Sequence, residues 1–423
     1  MACVKTEFTL LLALAVASLA NGADDWPQWR GPNRDGRSLE TGLRTEWPAG
    51  GPPLVWKAGG LGSGYSTVAV QGGRIFTLGA TRDAEYVIAL DARTGKELWR
   101  ARSGRRYSNN RGDGPRGVPT VDGSRLYALG GNGDLTCLDA ATGKVVWHVN
   151  LLQKFGASNI NWGISESPLV LEDRLLVNAG GRNASIVALD KRDGSTLWAS
   201  ESDEAGYSSA VVANILGVRQ AVFFTAERAL GVRVDDGSLL WSYRRASNNT
   251  ANVATPIVRG NFVFISSDYG TGCALLEIQG SPAGMSAREV YFHRDMKNHH
   301  ASSILVDGTL YGFSSSILTA IDFDTGEVLW RDRSVGKGSL VYAEGNLYLL
   351  SEGGVIGLAE ATRSGYREKG RFQIGGSGSH TWAPPVVANR RLYIRDQDTL
   401  YAYEVSGQGQ GSGIRSDSGE AAR

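Results

Sequence analysis

The sequence is short of the residue types on which several kinds of chemistry depend. Only three of its 423 residues are cysteine and five are histidine. Cys3 falls in the N-terminal leader, leaving Cys137 and Cys273 as one candidate pair and no disulfide framework. No cluster of Cys, His or carboxylate has zinc-ligand spacing. An excess of one charge is missing too, since 44 basic side chains face 43 acidic ones. A net charge of +1 excludes a dedicated nucleic-acid binder, which needs a basic surplus against phosphates. Beyond the leader no run approaches the ~18 apolar residues of a membrane span. With 42% hydrophobic and 21% charged residues, the composition is not that of a disordered chain.

Glycine and aromatics are plentiful. The 56 glycines make about 13% of the chain, against a usual ~7%. They follow no collagen period, and 11 Trp, 15 Tyr and 11 Phe accompany them. Many turns and many large apolar groups point to an all-β protein. The length suggests two or three domains of ~150 residues unless a repeat organises the chain.

At the N-terminus Lys5 precedes an apolar stretch from Leu10 to Ala17, then Ala20-Asn21-Gly22-Ala23. This pattern predicts a secretory signal peptide over residues 1–22, cut after Gly22 or Ala20. Cys3 lies before the apolar stretch, where it cannot serve as a lipoprotein cysteine. The expected location is periplasmic or secreted, with no lipid anchor and no transmembrane segment.

A repeat decides the architecture. Val87-Ile88-Ala89-Leu90-Asp91 leads through Gly95 to Trp99, and Leu135-Thr136-Cys137-Leu138-Asp139 through Gly143 to Trp147. The same spacing joins Asp190, Gly194 and Trp198, and again Asp322, Gly326 and Trp330. A further copy ends at Gly237 and Trp241, with Arg233 in the Asp position. The residues before Asp alternate as a strand, Gly reverses the chain, and Asp accepts hydrogen bonds from the turn. The Trp is expected to end the outgoing strand and pack between units. Upstream of each copy two more strands joined by a tight turn complete a four-stranded antiparallel sheet.

Successive tryptophans lie 48, 51 and 43 residues apart, and Trp241 to Trp330 spans 89, room for two units. The degenerate copy there runs from Cys273 to Glu277 and on to Val290-Tyr291-Phe292. Two copies follow Trp330, at Val355 to Ala359 with Phe372 and at Leu400 to Glu404. The last has no outgoing strand, whereas Leu54-Val55-Trp56 is a strand without a sheet. The predicted fold is an eight-bladed β-propeller of four-stranded antiparallel sheets, closed by the N-terminal strand. Residues 23–53 form an N-terminal extension, 54–406 the propeller and 407–423 a polar tail. Cys137 and Cys273 fall in different units and are expected to be free and buried.

The Asp–Gly–Trp repeat resembles that of the quinoprotein-type propellers, the pyrroloquinoline quinone (PQQ) repeat superfamily. The segment Asp25-Trp26-Pro27-Gln28-Trp29-Arg30-Gly31-Pro32-Asn33-Arg34-Asp35-Gly36 is similar to the start of secreted bacterial PQQ-like repeat proteins. The resemblance covers nearly the whole mature chain and is specific for fold. The superfamily includes PQQ-dependent dehydrogenases and BamB-like outer-membrane assembly factors that bind no quinone, so fold leaves the chemistry open. A dehydrogenase would need Arg and Trp around PQQ, Ca²⁺ held by Glu and Asn, and in many members an adjacent cysteine pair. This chain has no such pair, and its acidic residues do not align with the calcium ligands. The expected function is therefore a non-catalytic, monomeric module binding a small molecule or a protein at the channel mouth. The alternative is a PQQ- and calcium-dependent dehydrogenase of alcohols or polyols.

Candidate site residues lie in what is not repeated, the loops from each outer strand to the next inner strand. The first carries Arg105, Arg106, Tyr107 and Arg111, and the second Asn161, Trp162 and Glu166. Later loops carry Tyr207, Asn252, His299, His300, His380 and Trp382. The candidate ligand-binding set is Arg106, Tyr107, Asn161, Trp162, Glu166, Tyr207, Asn252, His300, His380 and Trp382. Aromatics would receive a flat or sugar-like ligand and the polar groups would hydrogen-bond it. The alternative is that these are ordinary solvated loop residues. Neither Gly62-Ser63-Gly64 nor Gly375-Gly376-Ser377-Gly378 opens a helix, so phosphate cradling is not expected. No catalytic group is assigned, and His299-His300 does not make a metal site.

Overall fold

The architecture comes from a computed structural model that describes residues 25–407. The signal-peptide expectation for residues 1–22 and nearly all of the 407–423 tail lie outside the described residues. Eight sheets form the ring, at residues 69–105, 120–150, 169–200, 211–243, 257–293, 304–332, 338–373 and 386–404. The eighth is completed from the other end of the chain. Leu54–Ala58 runs antiparallel to Thr399–Glu404, with Leu54 opposite Tyr403 and Ala58 opposite Leu400. The chain is an eight-bladed β-propeller, and the only described helix is Leu151–Phe155.

Each Asp–Gly turn is built as the spacing requires. Asp91 Oδ1 accepts the Thr94 backbone N–H at 2.8 Å and the Thr94 hydroxyl at 2.6 Å. Gly95 follows at φ 71°, a left-handed conformation that glycine adopts without strain. The Thr94 hydroxyl holds the Asp91 carboxyl below its ordinary range, and Thr142 does the same for Asp139. The third strands are buried on both faces, as at Leu135–Leu138, because each sheet is covered by a neighbour on either side.

The tryptophan differs from expectation in place. Trp99 is the third residue of the outgoing strand Glu97–Arg105, near its start rather than its end. From there its indole lies on Gly143 of the next turn, where a Cβ would come within 2.5 Å of the ring. Its N–H donates to the Ala140 carbonyl at 3.3 Å. Trp147 and Trp198 repeat this, donating to Lys191 and Val234 at 3.1 and 3.0 Å. The repeat thus encodes a joint between sheets as much as a turn within one.

Trp241 breaks the series for a visible reason. The next sheet replaces its Asp–Gly turn with a long hairpin, Gly272–Ser281 and Gly284–His293, so no glycine waits for the indole. Trp241 turns into its own sheet and donates to Gln220 Oε1 at 2.8 Å. Met285 and Ala287 of the hairpin pack against the cluster holding Leu240 and Trp241. In that sheet Tyr291 takes the joint role, its hydroxyl donating to the Phe323 carbonyl at 3.0 Å.

The N-terminal extension plugs the channel. Trp26 exchanges two backbone hydrogen bonds of 2.8 Å with Val70 in the first sheet. Pro27 O accepts from Val121 N of the second at 2.8 Å. Arg34 donates to Ser167 O at 2.9 Å and to Ala210 O at 2.8 Å, the entries to the third and fourth. Trp29 Nε1 donates to Thr255 Oγ1 at 2.9 Å, and Arg30 Nη2 to Ser303 O at 2.7 Å, before the fifth and sixth. Arg37–Ser38 adds a parallel fifth strand to the seventh sheet, and the Ser38 hydroxyl donates to Val387 O of the eighth at 2.8 Å. Inner strands leave backbone groups facing the channel, and the guanidinium forks satisfy several carbonyls each. Burial lowers both Arg30 and Arg34 to about 10, so they remain charged at neutral pH.

Candidate functional site

In a four-stranded up-and-down sheet, the connection from outer strand to next inner strand leaves on the same side as the turn between strands two and three. The Asp–Gly turns fall on the opposite side. All eight connections therefore gather at one mouth, where they enclose a cavity of about 480 Å³. Trp29 of the plug contributes to its wall, so the channel does not run on as an open tube.

Seven rings follow one another around the cavity in unbroken contact, and an eighth, His380, stacks on one of them. Tyr65 meets Trp382 at 5.0 Å between centroids. Trp382 stacks with His380 at 4.7 Å and 6°, and with His300 at 5.7 Å and 27°. His300 meets His299 at 5.8 Å and His299 meets Tyr269 at 5.3 Å. Trp162 then lies between Tyr269 at 6.3 Å and Tyr207 at 5.6 Å. Arg116 extends the chain from its other end, its guanidinium 5.7 Å from the Tyr65 ring centroid and 4.6 Å from that of Tyr107.

The charges on this wall are unequal. Arg111, Arg116 and Lys337 are set against one carboxylate, Glu352. Glu352 Oε2 already accepts the Trp382 indole N–H at 3.0 Å and lies 3.4 Å from Lys337 Nζ. Arg116 donates to the carbonyls of Gly112, at 2.7 Å, and Gly114. The His300 ring is half-buried, but both its nitrogens are shielded from solvent and lack a hydrogen-bond partner. Burial, with neighbouring positive groups, lowers His300 to about 3, so the imidazole is neutral.

Five of the ten candidates, Trp162, Tyr207, His300, His380 and Trp382, lie on the cavity wall. The other five do not line it: Tyr107, Glu166 and Asn252 are buried behind the wall, Arg106 is half-buried and Asn161 is exposed away from the cavity. Tyr107 is buried, its hydroxyl donating to Asn161 O at 2.7 Å, while the Asn161 side chain does not line the cavity. Arg106 pairs with Asp113 and donates to Arg82 O at 3.0 Å. Asn252 is buried, donating to Thr225 O and Ala226 O and accepting from Asn248 N. Glu166 is buried near the plug, Oε2 accepting Asn178 N at 2.6 Å. Desolvation raises it to about 8, against the opposing pull of Asn178 N–H and Arg34.

Trp29, Tyr65, Arg116, Tyr269, Lys337 and Glu352 also line the cavity without having been singled out as candidates. Tyr269 and Glu352 sit on second-to-third-strand turns, and the topology alone could have placed those at the mouth. Trp29 gave no signal beyond its place in the opening motif.

A quinone held through calcium needs several convergent oxygen ligands. The cavity wall offers one carboxylate, already engaged, and no asparagine. Among the described residues no three His, Cys, Asp or Glu converge as a metal site would require. The donor set does not fit that pair of groups.

Fold and site together define a plugged eight-bladed propeller of the Asp–Gly–Trp type, with one open aromatic mouth. Residues 83–332, more than half of the chain, match the family of the outer membrane protein assembly factor BamB, and the chain belongs to that family. The Shewanella oneidensis outer membrane protein assembly factor BamB is 24% identical over 369 residues, 81% of this chain and 86% of its own length. The Yersinia pestis BamB is 23% identical over 245 residues, 55% of this chain, and the match spans only 61% of that relative. Among solved structures, BamB from Moraxella catarrhalis has a TM-score of 0.59 at 16% identity, over 84% of this chain and 99% of that one. Quinohemoprotein alcohol dehydrogenase from Comamonas testosteroni has a TM-score of 0.62 at 14% identity, over 92% of this chain and 81% of that one. At such identities these two structures bear on the fold alone.

Proposed function

We propose that the protein is an exported, non-catalytic binding module that engages a protein of the outer-membrane assembly machinery at its channel mouth. The observation that carries this reading is the connected set of eight rings around a blind cavity. Aromatic side chains at interfaces supply large contact area at low entropic cost. The rings at the mouth line an open cavity, whereas the repeat tryptophans on the opposite side are committed to joints between sheets. Family membership supports a protein partner over a free metabolite. The leader at residues 1–22 supports export to the periplasm or beyond.

A photo-cross-linking residue in place of Tyr269, which is exposed at the mouth, tests this in the native host. Cross-links to a component of outer membrane protein assembly are expected from position 269 and not from Leu98, exposed on the outer strand of the first sheet. Cross-links to that component from Leu98 alone would place the interface on the rim and overturn the proposal.

A further inference from the structure

The cavity has a surplus of positive charge and broad ring faces. Two of its hydroxyls are partly engaged: Ser165 donates to Gly163 O at 2.9 Å, and Ser209 Oγ accepts Ser167 N at 2.9 Å. A sugar's hydroxyl groups would meet one carboxylate and no carboxamide side chain on this wall. Rings, by contrast, can pack against the Tyr207–Trp162–Tyr269 wall in tilted or stacked geometry.

The charges ask for an anion. Glu352 is shared by Lys337 and the Trp382 indole, which leaves Arg111 and Arg116 without a carboxylate on this wall. Arg116 is oriented by carbonyl dipoles and rings, and the carboxylates near it, Glu85 and Asp113, lie off this wall and are engaged by Tyr107 N, Gly131 N and Arg106. Arg111 is exposed at the rim, and its guanidinium makes no hydrogen bond or ion pair among the described residues. The His300 nitrogens lack partners, so turning that ring toward an incoming group breaks no hydrogen bond.

We propose that the mouth takes a polypeptide segment in which an aromatic side chain is flanked by carboxylates. This rests on the reading of the mouth as a protein-binding site and names the chemistry of the segment. The ring enters toward Trp29 against Trp162, and the flanking carboxylates stay at the rim near Arg111 and Arg116. A peptide fits because the cavity is open on one side only. A chain can cross the rim while one side chain descends.

Tryptophan emission of the full protein, titrated with blocked nonapeptides, tests this, because Trp29, Trp162 and Trp382 all line the cavity. A peptide with central Asp-Phe-Asp should give a saturable change that weakens as salt is raised. Its Asn-Phe-Asn and Asp-Ala-Asp counterparts should bind about tenfold more weakly or worse. Arg111→Gln, an exposed substitution, should leave the melting curve in place, weaken the acidic peptide about fivefold and flatten the salt dependence. Equal binding of the Asn-Phe-Asn peptide would overturn the proposal. Binding of 2-naphthoate but of no peptide would overturn it in favour of a free aromatic acid. If no peptide binds while the Tyr269 cross-links persist, the segment's chemistry is wrong and the mouth reading stands. If both are lost, both fail.

Discussion

Trp56 rests on Gly95. The first belongs to the strand that completes the eighth sheet and the second to the Asp–Gly turn of the first sheet. A Cβ on Gly95 would come within 2.6 Å of the indole, and the indole N–H donates to Ala92 O at 3.2 Å. The ring is therefore sealed by the same joint that links its consecutive sheets. Trp56→Ala should cost about 2 kcal/mol, less than a fully buried tryptophan because Trp56 is half-exposed. Gly95→Ala should also destabilise, since it meets both the ring and a left-handed φ. Urea unfolding checks both, and a loss from neither would mean that closure does not depend on this joint.

The plug should matter beyond its length. Arg34 satisfies carbonyls of the third and fourth sheets at once, so Arg34→Met leaves buried acceptors unpaired and should cost about 3 kcal/mol or more. Arg34→Lys should recover only part of it, because an ammonium cannot span the same acceptors as a planar fork. Equal unfolding midpoints for Arg34→Met and the parent would show that the plug is not part of the cooperative fold.

Glu166 and Glu85 give a pH dependence of definite sign. Desolvation raises Glu166 to about 8 and Glu85 to about 7, both above their ordinary range near 4.5. Between those limits the folded protein holds protons that the unfolded chain releases. His300, lowered to about 3, acts with the opposite sign up to its ordinary 6.5, so the fall should be read above about 6.5, where stability decreases as pH rises through 7 and 8. Glu166→Gln should flatten the upper part of that fall, as read from melting temperature against pH. A profile that rises with pH over this range would contradict the assignment.

The two thiols should be silent in the folded state. Cys137 and Cys273 are free and buried, and burial pushes them up to about 11 and about 12. Thiol titration should find neither in the native protein and both in denaturant. Rapid native labelling of either would show local opening of its sheet.

What the sequence disclosed follows from repetition. Asp, Gly and Trp at fixed offsets exposed the turns, the count of sheets and the need for Leu54–Ala58 to close the last one. The joint was less legible, because the glycine that receives Trp99 is Gly143, one unit later in the chain. The plug was legible only as a motif, since Arg30 and Arg34 act through backbone carbonyls of distant sheets that leave no mark on sequence. At the mouth, Trp162, Tyr207, His300, His380 and Trp382 were reachable from loop position. Tyr107, Glu166 and Asn252 share those loops but turn behind the wall, and loop membership cannot tell the two directions apart.

The central claim separates two kinds of tryptophan, and one paired comparison tests it most directly. Trp162→Ala and Trp147→Ala are each measured for binding to the cross-linked assembly partner and for unfolding free energy. Trp147 joins the second sheet to the third, and its loss should cost about 3 kcal/mol while leaving partner affinity unchanged in the folded fraction. Trp162→Ala should do the reverse, lowering affinity about tenfold or more with a smaller loss of stability. Equal destabilisation by both, with partner binding intact in Trp162→Ala, would make the mouth tryptophan a packing residue and contradict the account.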